Sequence, residues 1–335
     1  MGRIVKGLRL AVVGCGDIAG FTALVSRRIR RVQLTVCCDT NLERAQRFAR
    51  RNRITQVFTD YEEMLDSSEH DAVYLAVPHR LHYEMIRAAA ERGKHVLVEK
   101  PITRTLGEAC RLLAEVAEVK VGVNYQYRYD RACYALARAI QGGALGKTHS
   151  VRINVPWHRD EGYFAGAPWH RTWADAGGGT LITQGSHFLD IALWALGERP
   201  ASAMGYTASP GFDVEVDTLT HGIVETESGA LINIAASMVA ATEQAVTIEV
   251  YGERGTARYR DRPLPSLRVT GTRVRRAKPP GHGVHALQRS LAGFVDWILA
   301  DRPYLIPASE SLPVLAAVDG IYRSARSGTR AEIEV

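Results

Sequence analysis

The sequence predicts an α/β protein: a doubly wound parallel sheet, then an α+β part built on an open, mostly antiparallel sheet. Three observations predict it. Up to residue 125, short apolar, β-branched runs alternate with amphipathic stretches of helical period. A glycine-rich turn joins the first run to the first such stretch. Beyond residue 126 the runs lengthen and alternate apolar with polar residues. Strands covered on both faces read as continuous apolar runs, whereas alternation marks a sheet with one covered face.

In chain order, the strand-like runs are 8–13, 33–38, 72–77, 95–98 and 120–124. Helical stretches at 42–51, 82–91 and 106–118 supply the crossovers that parallel strands need. A helix at 132–140 ends on Gly142 and Gly143, and alternating runs follow at 150–155, 218–225, 230–236 and 246–251. A last helix at 285–300 precedes a C-terminal tail, and the segment 278–283, with Pro279, Pro280 and Gly281, reads as a loop within a domain. The expected division is 1–125 and 126–335, in line with 335 residues at roughly 150 per domain.

Composition excludes several classes. With 46% hydrophobic and 23% charged residues the chain is neither disordered nor fibrous. The net charge of +6 could attract phosphate-rich partners, but Arg27, Arg28, Arg30, Arg31, Arg50, Arg51 and Arg53 fall where a solvated helix face explains them. No nucleic-acid motif accompanies them, so no nucleic-acid partner is expected. Five cysteines at 15, 37, 38, 110 and 133 have neither disulfide nor metal-ligand spacing. There is no apolar run of about 18 residues and no apolar signal core, so a cytoplasmic protein without a membrane partner is expected.

The first chemical constellation is Gly14-Cys15-Gly16-Asp17-Ile18-Ala19 between a strand and a helix. Gly14 permits the tight turn, Gly16 lets a pyrophosphate approach the backbone, and Ala19 lets the helix pack closely; free N–H groups at the helix start meet the phosphate. Asp39 ends the second strand, where a carboxylate accepts from ribose hydroxyls and repels a 2′-phosphate. NAD is therefore favoured over NADP. Against this stand Arg44 and Arg47 on the next helix, and the alternative that Asp39 only caps that helix.

Glu99-Lys100-Pro101 follows the strand at 95–98, and a lysine there faces the crevice where such sheets bind ligands. Its ammonium could donate to a substrate oxygen; an exposed lysine at a strand end is the plainer alternative. The glycines 177–179 lead into a helical stretch that puts Thr183 and His187 four apart on one face, with Asp190 beyond. A histidine can take a hydroxyl proton as hydride leaves carbon. His79 and His82 lack a third ligand, and no metal is expected. Trp157, Arg159, Tyr163, Trp169 and Arg171 could stack on a sugar ring and pair with an anion; they could equally be domain core and surface ion pairs.

Taken together, the glycine turn, Ala76-Val77-Pro78 with His82, Glu99-Lys100-Pro101, Gln126-Tyr127-Arg128 and the segment ending in His187 and Asp190 resemble the Gfo/Idh/MocA oxidoreductase family. The tryptophan-rich stretch and Gln184 before His187 are similar to its nucleotide-sugar and N-acetylhexosamine dehydrogenase branch. The resemblance implies an N-terminal Rossmann domain and a C-terminal substrate domain whose sheet forms a homodimer or homotetramer. It implies a nicotinamide-dependent enzyme acting on a secondary alcohol or ketone of a sugar, cyclitol or nucleotide sugar. Lys100 and His187 become the catalytic pair, and Pro101 follows a cis bond. Ala76, Pro78, His79, His82, Glu99, Lys100 and Gln126 join the glycine turn and Asp39 as cofactor residues. Lys100, Arg128, Trp157, Arg159, Tyr163, Trp169, Arg171, Thr183, Gln184 and His187 become substrate residues. One departure is Thr183, where the family usually has a carboxylate. Two alternatives share the resemblance: an NAD-dependent glycoside hydrolase, and a non-catalytic sensor of NAD or sugar.

Overall fold

The computed structural model describes residues 7–275 and 277–334. They form two compact units, the first made of the residues up to Thr103 with Gly107–Tyr129 and Pro280–Glu310, the second of Arg104–Leu106, Asp130–Pro279 and the chain from Ser311.

The first unit carries strands β1 (Leu8–Val13), β2 (Val32–Cys38), β3 (Gln56–Phe58), β4 (Ala72–Leu75), β5 (His95–Val98) and β6 (Val121–Val123). They pair in the order β3-β2-β1-β4-β5-β6, all parallel, so the sheet is doubly wound as the sequence pattern implied. β4 is buried at every position, as expected of a strand covered on both faces. The crossover helix Leu42–Asn52 is capped by Asn41, whose side chain accepts from the Arg44 N–H, and it buries only Ala45, Phe48 and Ala49. Its arginines thus lie on the exposed face. β3 and the helix Tyr61–Ser67 are absent from the sequence reading, because three and seven residues are too short to show a period.

The segment Pro280–Glu310 belongs to the first unit, although the sequence reading put it with the second. The helix Ala286–Ala300 buries Leu287, Leu291, Phe294 and Val295. A Cβ added at Gly122 of β6 would lie 2.8 Å from the Tyr304 ring and 3.1 Å from that of Phe294, so this edge of the sheet is where the segment packs. Arg31 pairs with Asp296 at 2.8 Å, and Lys120 Nζ donates to the Trp297 carbonyl at 2.7 Å. Pro280, inside the stretch read as a mere loop, is where the chain crosses back.

The second unit carries β7 (Thr148–Pro156), β8 (Pro200–Ala208), β9 (Leu219–Thr226), β10 (Leu231–Ser237), β11 (Thr247–Gly252), β12 (Thr256–Arg260), β13 (Ser266–Thr270) and β14 (Ala331–Glu332). Their order is β13-β12-β11-β7-β10-β9-β8-β14, and only the β7–β10 pair is parallel among them. Strict alternation along β9 and β10 sends Val224, Ile232 and Ile234 inward and leaves Ile223 and Leu231 exposed. The stretch expected to be a tail is the helix Leu312–Ser327, with Pro313 in its first turn and Gly328 as a left-handed cap, followed by β14. No helix among the described residues is long and apolar enough to cross a membrane.

Candidate active site

The glycine turn has the geometry a dinucleotide needs. Gly14 sits at φ +82°, and a Cβ there would run into the Ala76 carbonyl. Gly16 is the N-cap of the helix Asp17–Ser26, with no atom within 4 Å of where its Cβ would be. That open ground before a helix N-terminus fits a pyrophosphate. Asp17 and Ile18 are exposed in the first turn, while Ala19 is fully buried. Asp39 is 6% exposed; it accepts from the Cys15 N–H at 2.8 Å and the Asn41 N–H at 2.9 Å, so it is bound to the glycine turn and Asn41 is the helix cap. Arg44 lies 3.4 Å from both Asp39 oxygens and Arg47 pairs with Glu43 at 3.5 Å, so both cations already face carboxylates.

Lys100 lies two residues past the end of β5 and is half-buried, with a cis bond to Pro101. Glu99 accepts from the Tyr74 hydroxyl at 2.5 Å and from Asn124 Nδ2 at 2.7 Å, and burial raises its carboxyl above the ordinary range despite these bonds. Asn124 is held by the Ser290 hydroxyl at 3.0 Å. His82 Nδ1 lies 2.8 Å from the Pro101 carbonyl and Nε2 3.0 Å from that of Val77; the neutral ring carries one N–H and donates to one of the two, so it sits between the turn after Lys100 and the loop that leaves β4. His79 is buried beside it, ring centroids 5.5 Å apart. Pro78 starts the short turn that bears both histidines, accepting from the Leu81 N–H at 2.9 Å. Gln126 is half-buried, its Oε1 buried without a hydrogen-bond partner. Arg128 is 2% exposed and holds the first unit together, bonding the Leu305 and Glu310 carbonyls at 2.9 and 3.0 Å and the Glu310 carboxylate at 3.1 Å. Its guanidinium is thus occupied, unlike the expected substrate contact.

Burial lowers the His82 ring to about 4, with the Lys100 charge adding to it and the two carbonyls opposing. His70, also buried, is lowered to about 4 for the same first reason. An unfolded histidine titrates near about 6.5, so between pH 6.5 and 4 the unfolded chain binds protons the folded chain refuses. Stability is therefore full above pH 6.5 and falls as pH drops toward 4, by on the order of 1–3 kcal/mol for a fully buried ring. Urea midpoints at pH 7 and pH 5 should show the drop, and His82→Gln should lessen it. Equal pH slopes in both proteins would remove His82 as a cause.

In the second unit Gly177–Gly179 lead into a π-helical turn, Leu181–Gly185, which continues as the helix Ser186–Leu196. The sequence reading of one regular helix is corrected by that turn, where the Ser186 N–H reaches the Leu181 carbonyl. Gly185 is the residue packed against Ile234 and Ala236, where a Cβ would find both within 3.2 Å. Thr183, Gln184, His187 and Asp190 are all buried. Thr183 Oγ1 donates to the Gly179 carbonyl at 2.6 Å.

Around that helix the aromatic residues form one cluster. Trp157 meets Phe188, the neighbour of His187, edge-on with centroids 6.2 Å apart. The Arg159 guanidinium lies over Trp157 at 5.1 Å and Tyr163 at 5.3 Å. Tyr163 stacks on His170 at 4.5 Å with its hydroxyl 3.2 Å from His170 Nδ1, and Trp169 lies against His170 at 3.6 Å. Burial pushes the Tyr163 hydroxyl up to about 12, while Arg159 and a bond to Thr183 pull the other way. Arg171 pairs with Glu161 and donates to the Asp213 carbonyl at 3.0 Å.

Two structural anchors escaped the sequence reading. Asp217 is 1% exposed; its carboxylate accepts from the N–H groups of Gly179 (2.6 Å) and Leu181 (3.0 Å) and the hydroxyls of Thr220 (2.7 Å) and Tyr322 (2.8 Å). It fixes the start of the helix that carries Thr183 and His187, and burial still raises its carboxyl. The other anchor is Tyr74 beneath Glu99, whose one sequence signal is a hydroxyl inside an apolar strand.

Comparison with known proteins agrees with this architecture. Residues 8–127 match the model of an oxidoreductase family with an NAD-binding Rossmann fold, and residues 134–258 match the GFO/IDH/MocA C-terminal domain. The chain is 27% identical to the 1,5-anhydro-D-fructose reductase of Ensifer adhaerens, over 97% of this chain and 98% of that protein. It is 32% identical to inositol 2-dehydrogenase 4 of Saccharopolyspora erythraea, over 75% and 73%. Among solved structures, the WlbA dehydrogenase of Bordetella pertussis, in complex with NADH and UDP-GlcNAcA, superimposes with a TM-score of 0.86 at 27% identity, covering 98% of this chain and 100% of that one. With a parallel sheet carrying the glycine turn and Asp39, and a mostly antiparallel one beside it in sequence, the chain belongs to the Gfo/Idh/MocA family of NAD-dependent dehydrogenases and reductases.

Proposed function

We propose that this protein moves a hydride between a secondary alcohol or ketone carbon of a sugar, cyclitol or nucleotide sugar and a nicotinamide, with Lys100 and His187 handling the oxygen's proton. The observation that carries the reading is Lys100 at the carboxyl end of β5, in the sheet whose glycine turn fits a pyrophosphate. NAD, when bound, supplies the hydride acceptor. The alcohol loses hydride from carbon and a proton from oxygen, and a positioned base takes that proton. Glu99, bonded to Tyr74 and Asn124, and His82, beside the Pro101 carbonyl, flank Lys100. His187 is buried next to Phe188 of the aromatic cluster and is the second proton-handling group.

Relatives named as an anhydrofructose reductase, a D-apiose dehydrogenase and inositol dehydrogenases support a carbohydrate substrate. Exposed Met204, Tyr206, Ile223 and Leu231 on one face of the second sheet support self-association into a dimer or tetramer. Purified protein given NAD and a panel of aldoses, inositols and nucleotide sugars is expected to produce NADH fluorescence with at least one of them. Tight NAD binding without turnover across the panel would sink the reading and favour a sensor. Glycoside cleavage without NADH accumulation would favour the hydrolytic alternative.

A further inference from the structure

We infer that Ser290 and Tyr304, on the segment that returns to the first unit, are positioning residues for Lys100: together with Asn124 and Tyr74 they keep the Glu99 carboxylate ionised, and that carboxylate holds the lysine as an ammonium. The inference deepens the reading above and rests on it.

The hydrogen bonds around Glu99 all run toward one of its oxygens. The Tyr74 hydroxyl (2.5 Å) and Asn124 Nδ2 (2.7 Å) both donate to Glu99 Oε1. Behind Tyr74, Thr22 Oγ1 donates to its hydroxyl at 3.0 Å. Behind Asn124, Ser290 Oγ donates to Oδ1 at 3.0 Å. A serine hydroxyl has one proton, and Ser290 has spent it there; the Tyr304 hydroxyl, 3.0 Å from Ser290 Oγ, is therefore the donor of that pair. Two files of donors, one through Tyr304, Ser290 and Asn124 and one through Thr22 and Tyr74, end on the same carboxylate oxygen. Bonds in series polarise one another, and donors on a carboxylate favour its charged form.

The files are sealed from water. Asn124, Ser290 and Tyr74 are fully buried, Thr22 is 2% exposed and Tyr304 6%. Burial opposes the charge on Glu99, whereas the neighbouring Lys100 charge favours it. Such coupling is reciprocal, so the carboxylate favours the ammonium in turn. The other titratable groups facing the pair do not compete for this role. His82, which faces Lys100, is neutral above about pH 4, and burial raises the Tyr74 and Tyr304 hydroxyls, which stay protonated as donors. Arg128, which faces Tyr304, is paired with Glu310. In the reducing direction a carbonyl carbon gains hydride from bound NADH while its oxygen takes the Lys100 proton, which solvent then replaces.

The test follows NADH consumption against pH with a panel of keto-inositols, ketosugars and 1,5-anhydrofructose. The active form pairs a charged Glu99 with a charged Lys100, so kcat/KM falls on the acid side as Glu99 gains a proton and on the basic side as Lys100 loses one. Removing a donor raises the Glu99 pKa, so the acid limb moves to higher pH. Tyr74→Phe should move it by about one pH unit, and Ser290→Ala and Tyr304→Phe by less in the same direction. Glu99→Gln keeps an acceptor for both donors but no charge; it should abolish the acid limb and bring the basic limb down. A readout without turnover is the infrared band of a protonated carboxyl, taken as the difference between each protein and its Glu99→Gln counterpart. That band should emerge at higher pH in Tyr74→Phe and Ser290→Ala than in the parent. Acid limb and band unmoved in folded Ser290→Ala and Tyr304→Phe overturn the inference and leave the dehydrogenase reading intact, as does an acid limb that survives Glu99→Gln. Turnover of no ketone, with NADH still bound, overturns the dehydrogenase reading and the inference with it.

Discussion

Lys100→Met should bind NAD within about twofold of the parent and turn over carbohydrate on the order of 100- to 10,000-fold more slowly, the range for losing a positioned proton-transfer group. The methionine keeps most of the side chain's length and removes only the ammonium. The His82 contact with the Pro101 carbonyl, and the Glu99 bonds to Tyr74 and Asn124, involve no Lys100 side-chain atom, so the local backbone should persist. The loss should fall on kcat with KM for the carbohydrate less affected, because the proton moves in the chemical step. Steady-state kinetics with NAD titrations would show this split. A variant within fivefold of the parent in kcat would remove the lysine from proton handling.

Gly14→Ala should do the reverse and damage NAD binding first. At φ +82° an alanine is strained, and its Cβ would strike the Ala76 carbonyl, which is backbone and cannot rotate away. A backbone conformation of this kind costs about 1–3 kcal/mol, corresponding to roughly a 5- to 150-fold weaker complex if the turn must deform to relieve it. Gly20→Ala on the following helix is the control: nothing lies within 4 Å of its Cβ, and alanine favours a helix. NAD titration by protein fluorescence should separate the two, with Gly20→Ala near the parent. Equal affinity in Gly14→Ala would show that the turn does not cradle the cofactor.

Much of the first unit was legible because its signals are local. Five of its six strands are apolar runs, and the glycine turn announces a positive φ and a close approach through residue type alone. Asp39 was legible from its place after β2, and the structure ties it to the Cys15 N–H. What escaped depends on distant partners. Asp217 lies in a segment with no motif, and only the fold brings it under Gly179 and Leu181. Arg128 sits in the Gln-Tyr-Arg stretch, but its burial against Glu310 comes from a segment some 180 residues later, which nothing in the local sequence announces. The helix Leu312–Ser327 carries start and stop signals in Pro313 and Gly328, but its small residues Ala316, Ala317 and Gly320 weaken the apolar period that would mark it.

The return of Pro280–Glu310 to the first unit has a consequence for how the chain is made. A ribosome releases the edge strand β6 long before the helix that covers it. Until Phe294 and Tyr304 emerge, Gly122 presents a bare backbone flank, the kind of edge that invites wrong pairing between nascent chains. Nucleotide-binding competence should thus arrive late in biosynthesis, after the intervening unit has been translated.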